Sequence, residues 1–260
     1  MPFPSLPGRL APLTALFAAL LGAPAAHAFN YHELEVYPYR TAAKGELEIE
    51  NATTHTAQGT QQPADGNNGL TRSSMELTYG LTNHLEFSAY GDFNHPRGSD
   101  GLQFAGQRYH LRASFFHKGQ LPVDLGAYAE LELPKYDVDS RELEVRGIVE
   151  KDFGKWTVDV NPIVEKVLKG ANTAGGWELG YATAIVYRMN ETVQPRLEFF
   201  GDFGPINHFE PTDEQVHLIS PAVTYSPTPT VHLLAGVAFG LTKASEQELL
   251  RLRLEKEFYF

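Results

Sequence analysis

The feature that most constrains the fold of this chain is an alternation of polar and apolar side chains with a period of two residues. Residues 46–50 read Glu-Leu-Glu-Ile-Glu, and residues 85–93 alternate in the same way. Successive side chains of a β-strand point to opposite faces, so each such segment has a charged and an apolar face. About twelve segments of roughly ten residues follow one another in residues 45–260. This predicts an all-β, antiparallel, up-and-down transmembrane β-barrel of about 12 strands.

The connections between these segments alternate in length. Those after even-numbered strands are short, as at residues 80–84 and 154–155, whereas residues 55–69 and 204–214 form longer connections rich in turn residues. Short periplasmic turns that alternate with longer external loops are typical of outer-membrane barrels. Because the number of strands is even, the first and the last strand both have their free chain terminus on the short-turn side.

The two ends of the chain predict export to the bacterial outer membrane. Residues 1–28 carry one charge, Arg9, before an apolar run, and they end in Ala26-His27-Ala28, a pattern of signal-peptide cleavage after Ala28. Residues 29–44 are expected to be a periplasmic N-terminal lead-in, and residues 45–260 the barrel. The C-terminal aromatic residues, with Phe258 and Phe260 in alternate positions, resemble the signal that the barrel assembly machinery recognises, although Lys256 interrupts this face.

Charge and cysteine content exclude several kinds of protein. The net charge of −11 disfavours nucleic acid as a partner, because phosphates would be repelled. The absence of cysteine excludes disulfides and thiolate metal sites. We predict no cofactor.

No nucleophile elbow, phosphate loop or zinc motif occurs in the sequence, so we predict that the protein is not an enzyme. Two serine and histidine pairs lack a catalytic motif, namely His110 with Ser114 and His217 with Ser220. A loop that carries His208, Glu210, Asp213 and Glu214 could bind a divalent ion, but a solvated acidic loop is the preferred interpretation, and we predict no metal site.

We expect the charged faces of the strands to line the lumen and the apolar faces to meet lipid, because aromatic residues lie at the predicted strand ends. Buried charges require partners, and the topology suggests Arg108 with Glu130, and Glu48 and Glu50 near Arg251 and Arg253 at barrel closure. As residues that line a channel or form a charge network, we predict Glu48, Glu50, Arg108, His110, Arg112, Glu130, Glu142, Glu144, Arg146, Arg196, Glu198, Arg251, Arg253 and Glu255.

Several stretches together resemble the outer-membrane barrel family named for the "MetA-pathway of phenol degradation". They are residues 37–41 with 44–50, the hairpin at residues 76–86, residues 150–156, and residues 240–242 with Arg251-Leu252. The resemblance covers most of the chain after residue 28, but each motif is a hairpin and not a site. It implies a barrel that passes small organic solutes.

These observations lead to three hypotheses. The first is an outer-membrane channel that passes small-molecule solutes through a charged lumen. The second is a closed barrel with a structural or surface-recognition role, and the least favoured is an outer-membrane lipid hydrolase. The expected partners are outer-membrane lipids, the barrel assembly machinery and a solute. The sequence leaves open the identity of the solute, the openness of the lumen and the oligomeric state.

Overall fold

A computed structural model describes residues 30–32, 34–61, 67–134, 140–170 and 173–260, which form a closed antiparallel β-barrel of twelve strands. This confirms the predicted fold class. The predicted signal peptide, with Ala26 and Ala28, lies outside the described residues. The strands are β1 Glu46–Gln58, β2 Thr71–Thr82, β3 Leu85–His95, β4 Gln103–Phe115, β5 Asp124–Pro134, β6 Arg141–Phe153, β7 Trp156–Lys169, β8 Glu178–Tyr187, β9 Val193–Pro205, β10 Val216–Thr228, β11 Val231–Gly240 and β12 Glu248–Tyr259.

Each strand pairs with its neighbours in the sequence, and β1 pairs with β12 to close the barrel. One end of the barrel carries the short turns, as at residues 83–84, 154–155 and 229–230, and the other carries longer loops such as residues 59–70 and 206–215. A single turn of 3-10 helix, Thr173–Gly175, lies in one of these loops. No helix in the described part of the chain is long and apolar enough to cross a membrane.

The outer surface of the barrel is apolar, and the charged side chains of its strands point to the interior. Leu77, Leu111 and Leu252 are each about half exposed, at 49%, 48% and 54%. In contrast, Arg108 and Arg146 are at most 1% exposed. A soluble barrel has the opposite arrangement. At the short-turn end, Trp156 and Tyr187 pack with their ring centroids 4.7 Å apart, as in an interfacial aromatic girdle. The barrel therefore has the surface of a membrane-embedded protein.

Residues 34–43, which belong to the predicted lead-in of residues 29–44, run through the lumen of the barrel, and the periplasmic location of the lead-in stays a prediction. We call residues 34–43 the luminal segment. Leu34, Val36, Tyr37 and Tyr39 are at most 5% exposed, and their apolar content explains why they pack inside the barrel rather than in water, whereas Pro38, Arg40 and Ala43 are exposed. Gly45, with a φ of +82°, allows the chain to reverse from the luminal segment into β1.

Candidate functional site: the lumen

The chain enters the lumen at the long-loop end and leaves it at the short-turn end. At the long-loop end, the amide of Asn30 donates to Glu132 at 3.4 Å, and His32 bonds Asn94 at 3.0 Å. At the opposite end, the guanidinium of Arg40 contacts three carboxylates, at 2.6 Å, 3.3 Å and 3.3 Å, from Glu46, Glu48 and Glu257. The luminal segment therefore spans the barrel.

Arg40 anchors the luminal segment where it leaves the barrel. Burial alone would lower the pKa of Arg40, but the charges of Glu48, Glu257 and Glu46 outweigh this effect and raise the pKa above its ordinary value. The guanidinium is therefore ionised at neutral pH, and its three contacts are ion pairs.

A network centred on Arg108 lines one sector of the lumen. Arg108 donates to Asp92 at 2.8 Å and to Ser74 at 3.0 Å, and its ion pair with Glu130 is 3.2 Å long. The contact between Arg108 and Glu130 is one that the topology predicts. The Tyr128 hydroxyl completes the network by donating to Glu130 at 2.6 Å. Since buried charges are tolerated only when they are paired and hydrogen-bonded, this network stabilises a polar wall.

The polar wall continues towards the short-turn end. Arg112 donates to Glu86 at 2.6 Å, and Arg146 binds Glu144 two residues before it on β6. His110 accepts from or donates to the hydroxyl of Tyr90 at 3.0 Å. These charged residues belong to the set that the sequence places on the lumenal face.

The ion pairs at barrel closure agree only partly with the prediction. Arg253 contacts Glu50 at 3.4 Å, as expected, and it also contacts Glu35 of the luminal segment at 2.5 Å. Arg251 instead pairs with Glu198 on β9 at 2.5 Å. Its predicted proximity to Glu48 and Glu50 is wrong, because the register sets Arg251 opposite Thr54 and so nearer the long-loop end.

The remaining predicted lumenal residues are buried or half-buried. Arg196 pairs with Glu198 at 2.7 Å, and Glu142 accepts from Ser140 at 3.0 Å. A carboxylate oxygen of Glu255 lies within 4.8 Å of a ring nitrogen of His232 and of a carboxylate oxygen of Glu257. Whether these residues line a conducting path stays a prediction. Phe258 and Phe260 are exposed, and their recognition as an assembly signal also stays a prediction.

Three acidic groups in the described residues are compact enough to hold a metal ion: His232 with Glu255 and Glu257, Glu35 with Glu50 and Glu76, and Glu46 with Glu48 and Glu257. Arginines already contact members of the last two groups, since Arg253 binds Glu35 and Glu50 and Arg40 binds Glu46, Glu48 and Glu257. These groups are therefore organised as ion pairs.

The two serine and histidine pairs noted in the sequence have other partners. His110 bonds Tyr90, whereas the Ser114 hydroxyl bonds His84 at 3.1 Å. His217 bonds Tyr181 at 3.2 Å, whereas the Ser220 hydroxyl accepts from Arg251 at 2.6 Å.

The second sector of the lumen is apolar, a feature that is not among the predictions from the sequence. Leu34 and Val36 of the luminal segment pack there against a buried cluster from β7 to β12 that comprises Ile163, Ala182, Ala184, Val186, Phe200, Val216, Leu218, Ala238 and Leu249. The weak alternation of β10 and β11, which are apolar on both faces, was the available signal. The lumen thus has one charged and one apolar wall.

The aromatic ring of Tyr37 is held by the polar wall. It stacks on Tyr128 with ring centroids 4.8 Å apart, and its hydroxyl lies 3.0 Å from that of Tyr90. The guanidinium groups of Arg112 and Arg146 lie over the ring at 4.9 Å and 5.1 Å, in cation–π geometry. Tyr37 is therefore fixed from several sides.

No protein-family model matches the chain, and no curated protein matches it. Among solved structures, the chain is similar to an outer membrane channel from Pseudomonas putida F1, with a TM-score of 0.62 and 16% identity over 86% of this chain and 100% of that chain. It is also similar to the NanC porin, with a TM-score of 0.55 and 6% identity over 82% and 99% of the two chains. The KdgM porin matches with a TM-score of 0.53 and 10% identity over 82% and 99%. The chain therefore has the fold of an outer-membrane β-barrel.

Proposed function

We propose that this protein is an outer-membrane channel for small solutes whose lumen is closed, in the conformation described, by its own luminal segment. The observation that carries the proposal is that a separate stretch of chain, and not only side chains of the wall, fills the lumen. The lumen is occupied by a separate stretch of chain that is continuous with the barrel wall only at Gly45, whereas a purely structural barrel can be filled by the side chains of its wall. Withdrawal of one segment would open a path without disturbing the strands.

The nature of the two walls supports a role in the passage of organic solutes. One wall is charged and aromatic and the other is aliphatic, so a molecule with a polar and an apolar side would have partners on both. This agrees with the solute class implied by the resemblance to the MetA-pathway family. The membership in that family and its solute class are part of the proposal.

Buried polar atoms in the barrel also favour a wet lumen. Within the described residues, Thr54 Oγ1, Asp159 Oδ1, Arg196 Nε and Arg251 Nε are buried without a hydrogen-bond partner. An unpaired buried polar atom lowers the stability of the fold by about 1–3 kcal/mol, so water or a solute bound to these atoms would stabilise the barrel.

Conductance across planar bilayers tests the proposal. We expect the full chain to conduct little, and a variant that lacks residues 30–43 to show stepwise currents at least several-fold larger. A deletion of residues 97–100, in the loop between β3 and β4, is the matched control, and it should leave the conductance of the full chain unchanged. If both the full chain and the variant without residues 30–43 fold but give no current steps in any salt, the channel is excluded.

A closed structural barrel is the second candidate, and the density of contacts to the luminal segment favours it. Arg40, Tyr37 and Glu35 all bind the wall through their side chains. Under this alternative, removal of the segment would unfold the barrel rather than open it, and heat-modifiable gel mobility would be lost.

A further inference from the structure

We propose that the walls of the lumen form a binding site for an extended peptide, that the luminal segment occupies this site as an intramolecular ligand, and that short peptides are the solutes of the channel. This inference rests on the channel function proposed above and assigns its substrate class. It is argued from the way in which the wall contacts the main chain of the segment.

Asn161 on β7 makes the central contact. Its side-chain oxygen accepts from the backbone amide of Tyr37 at 2.7 Å, and its side-chain nitrogen donates to the backbone carbonyl of Tyr37 at 3.1 Å. The side-chain amide thus pairs with one residue as a neighbouring β-strand would, and Asn161 is fully buried. Such a clamp recognises any residue that presents an extended backbone.

Two arginines and two glutamates extend this contact along the segment. Arg146 donates to the carbonyl of Glu35 at 3.0 Å, and Arg251 donates to the carbonyl of Leu34. The carboxylates accept from the amides of two further residues, Glu150 from Tyr39 at 2.8 Å and Glu86 from Ala42 at 2.5 Å. The contacted residues run from Leu34 to Ala42, so wall side chains bind the backbone of the segment at five residues along most of its length.

The side chains of the segment divide between the two walls. Leu34 and Val36 pack on the apolar wall, and Glu35 and Tyr37 reach the polar wall. Side chains of an extended chain alternate between two faces, so the two walls fit this conformation. Pro38 lies between Tyr37 and Tyr39, whose amides are both bound by the wall. It has no amide proton that would need a partner, and it restricts Tyr37 to extended conformations.

The chemistry of an open lumen identifies the solute class. Withdrawal of the segment would leave Asn161, Arg146, Arg251, Glu150 and Glu86 without these partners. A peptide supplies the same carbonyl acceptors and amide donors at the same spacing, which a hydrocarbon or a simple phenol does not. With the segment in place the five wall residues are all at most 6% exposed, so a peptide that fills the lumen and again excludes water has to replace these bonds.

The experiment uses the protein without residues 30–43 and a synthetic peptide with the sequence of residues 34–43. We expect the peptide to bind, as measured by calorimetry in detergent, and to block the single-channel current. Methylation of the backbone nitrogen of Tyr37 in the peptide removes one hydrogen bond to Asn161 and should weaken binding at least tenfold. Asn161→Leu should weaken the binding of the unmodified peptide by a similar factor. In that variant, methylation of the peptide should weaken binding little further, because the hydrogen bond that it removes is already absent.

The outcomes separate this inference from the proposed channel. If the shortened protein conducts but millimolar peptide neither binds nor blocks, the peptide site is wrong and the channel stands. If the peptide binds but no current appears, the channel is wrong and the site stands. If the methylated peptide binds as tightly as the unmodified one, recognition of the backbone is wrong.

A second measurement applies if the shortened protein fails to fold. In the full chain, Asn161→Leu should increase the hydrogen-exchange rate of the Tyr37 amide at least tenfold. An unchanged exchange rate would overturn the role of Asn161 as a backbone clamp.

Discussion

The contact between Gly80 and the luminal segment depends on the absence of a side chain. A Cβ atom added to Gly80 would lie 1.8 Å from the carbonyl oxygen of Ala43, while the carbonyl of Gly80 accepts from the amide of Gly45 at 2.9 Å. Gly80 begins the short connection that the sequence predicts over residues 80–84. In the structure Gly80 lies within β2, and the absence of a side chain lets the backbone of Ala42 and Ala43 pass in close contact with it at the rim of the barrel.

We therefore expect Gly80→Ala to loosen the luminal segment while the barrel stays closed. The Cβ atom cannot be accommodated without a shift of the Ala43 backbone, so the amides of Tyr37, Tyr39 and Gly45 should exchange hydrogen at least tenfold faster. The matched control is Gly91→Ala, whose Cβ would meet only the ring of Phe93 at 3.4 Å, an ordinary contact. Equal exchange rates in the two variants would contradict the close approach.

At the polar wall, Arg108 is the residue whose loss should cost most. Arg108→Met leaves Asp92 and Glu130 buried beside each other without their cation. Removal of one partner from a buried ion network costs about 3–5 kcal/mol, and we expect a loss of this size in the free energy of unfolding. Urea titration of the protein in lipid vesicles measures it. The exposed Arg97→Met should change stability by less than about 0.5 kcal/mol, and a similarly small effect of Arg108→Met would refute the network.

At the level of the elements, the strands could be predicted because their signals are local. The period-two alternation of β1 and β3 and the turn residues between strands depend only on neighbours in the sequence. The number of strands and the outward orientation of the apolar faces were predicted and are confirmed. The loop lengths alternate as predicted except after β4, where residues 116–123 form a connection as long as several loops at the other end.

The filling of the lumen could not be predicted because it depends on distant contacts. The period of Leu34 to Tyr37 is that of a strand, but nothing in the sequence shows that its apolar side chains meet Leu218, Ala238 and Leu249. The partner of Arg251 likewise depends on the stagger of β12 against β1, and on the reach of its side chain to β9. The sequence defines which faces are charged, whereas the register decides which charges meet.

A charge on the outer face of β12 should destabilise the barrel in a bilayer. Leu252 lies near the middle of β12 and is 54% exposed on the apolar surface. Leu252→Arg should lower the free energy of unfolding in lipid vesicles by about 2–4 kcal/mol, the cost of arginine near the bilayer midplane. Leu102→Arg, at an exposed residue of a long loop, is the control and should have little effect. Equal stability of the two variants would mean that this face of β12 does not meet lipid.

For the whole molecule, the two ends of the barrel are distinct and this difference defines its orientation in the membrane. Lys44 is exposed where the luminal segment joins β1 at the short-turn end, and Lys243 is exposed in a long loop at the other end. The barrel pattern assigns short turns to the periplasm and long loops to the cell exterior. Because the chain contains no cysteine, a single introduced thiol reports the side on which it lies.

We expect a polyethylene glycol maleimide too large to cross the outer membrane to label Lys243→Cys in intact bacterial cells but not Lys44→Cys. Both variants should be labelled after the cells are disrupted, which shows that each thiol is reactive. Labelling of Lys44→Cys in intact cells, with protection of Lys243→Cys, would reverse the orientation. The luminal segment would then emerge at the cell surface, and a peptide would meet the wall of the lumen from the periplasm first. Labelling of neither variant before disruption would show that the protein is not in the outer membrane, and the proposed channel would fail with it.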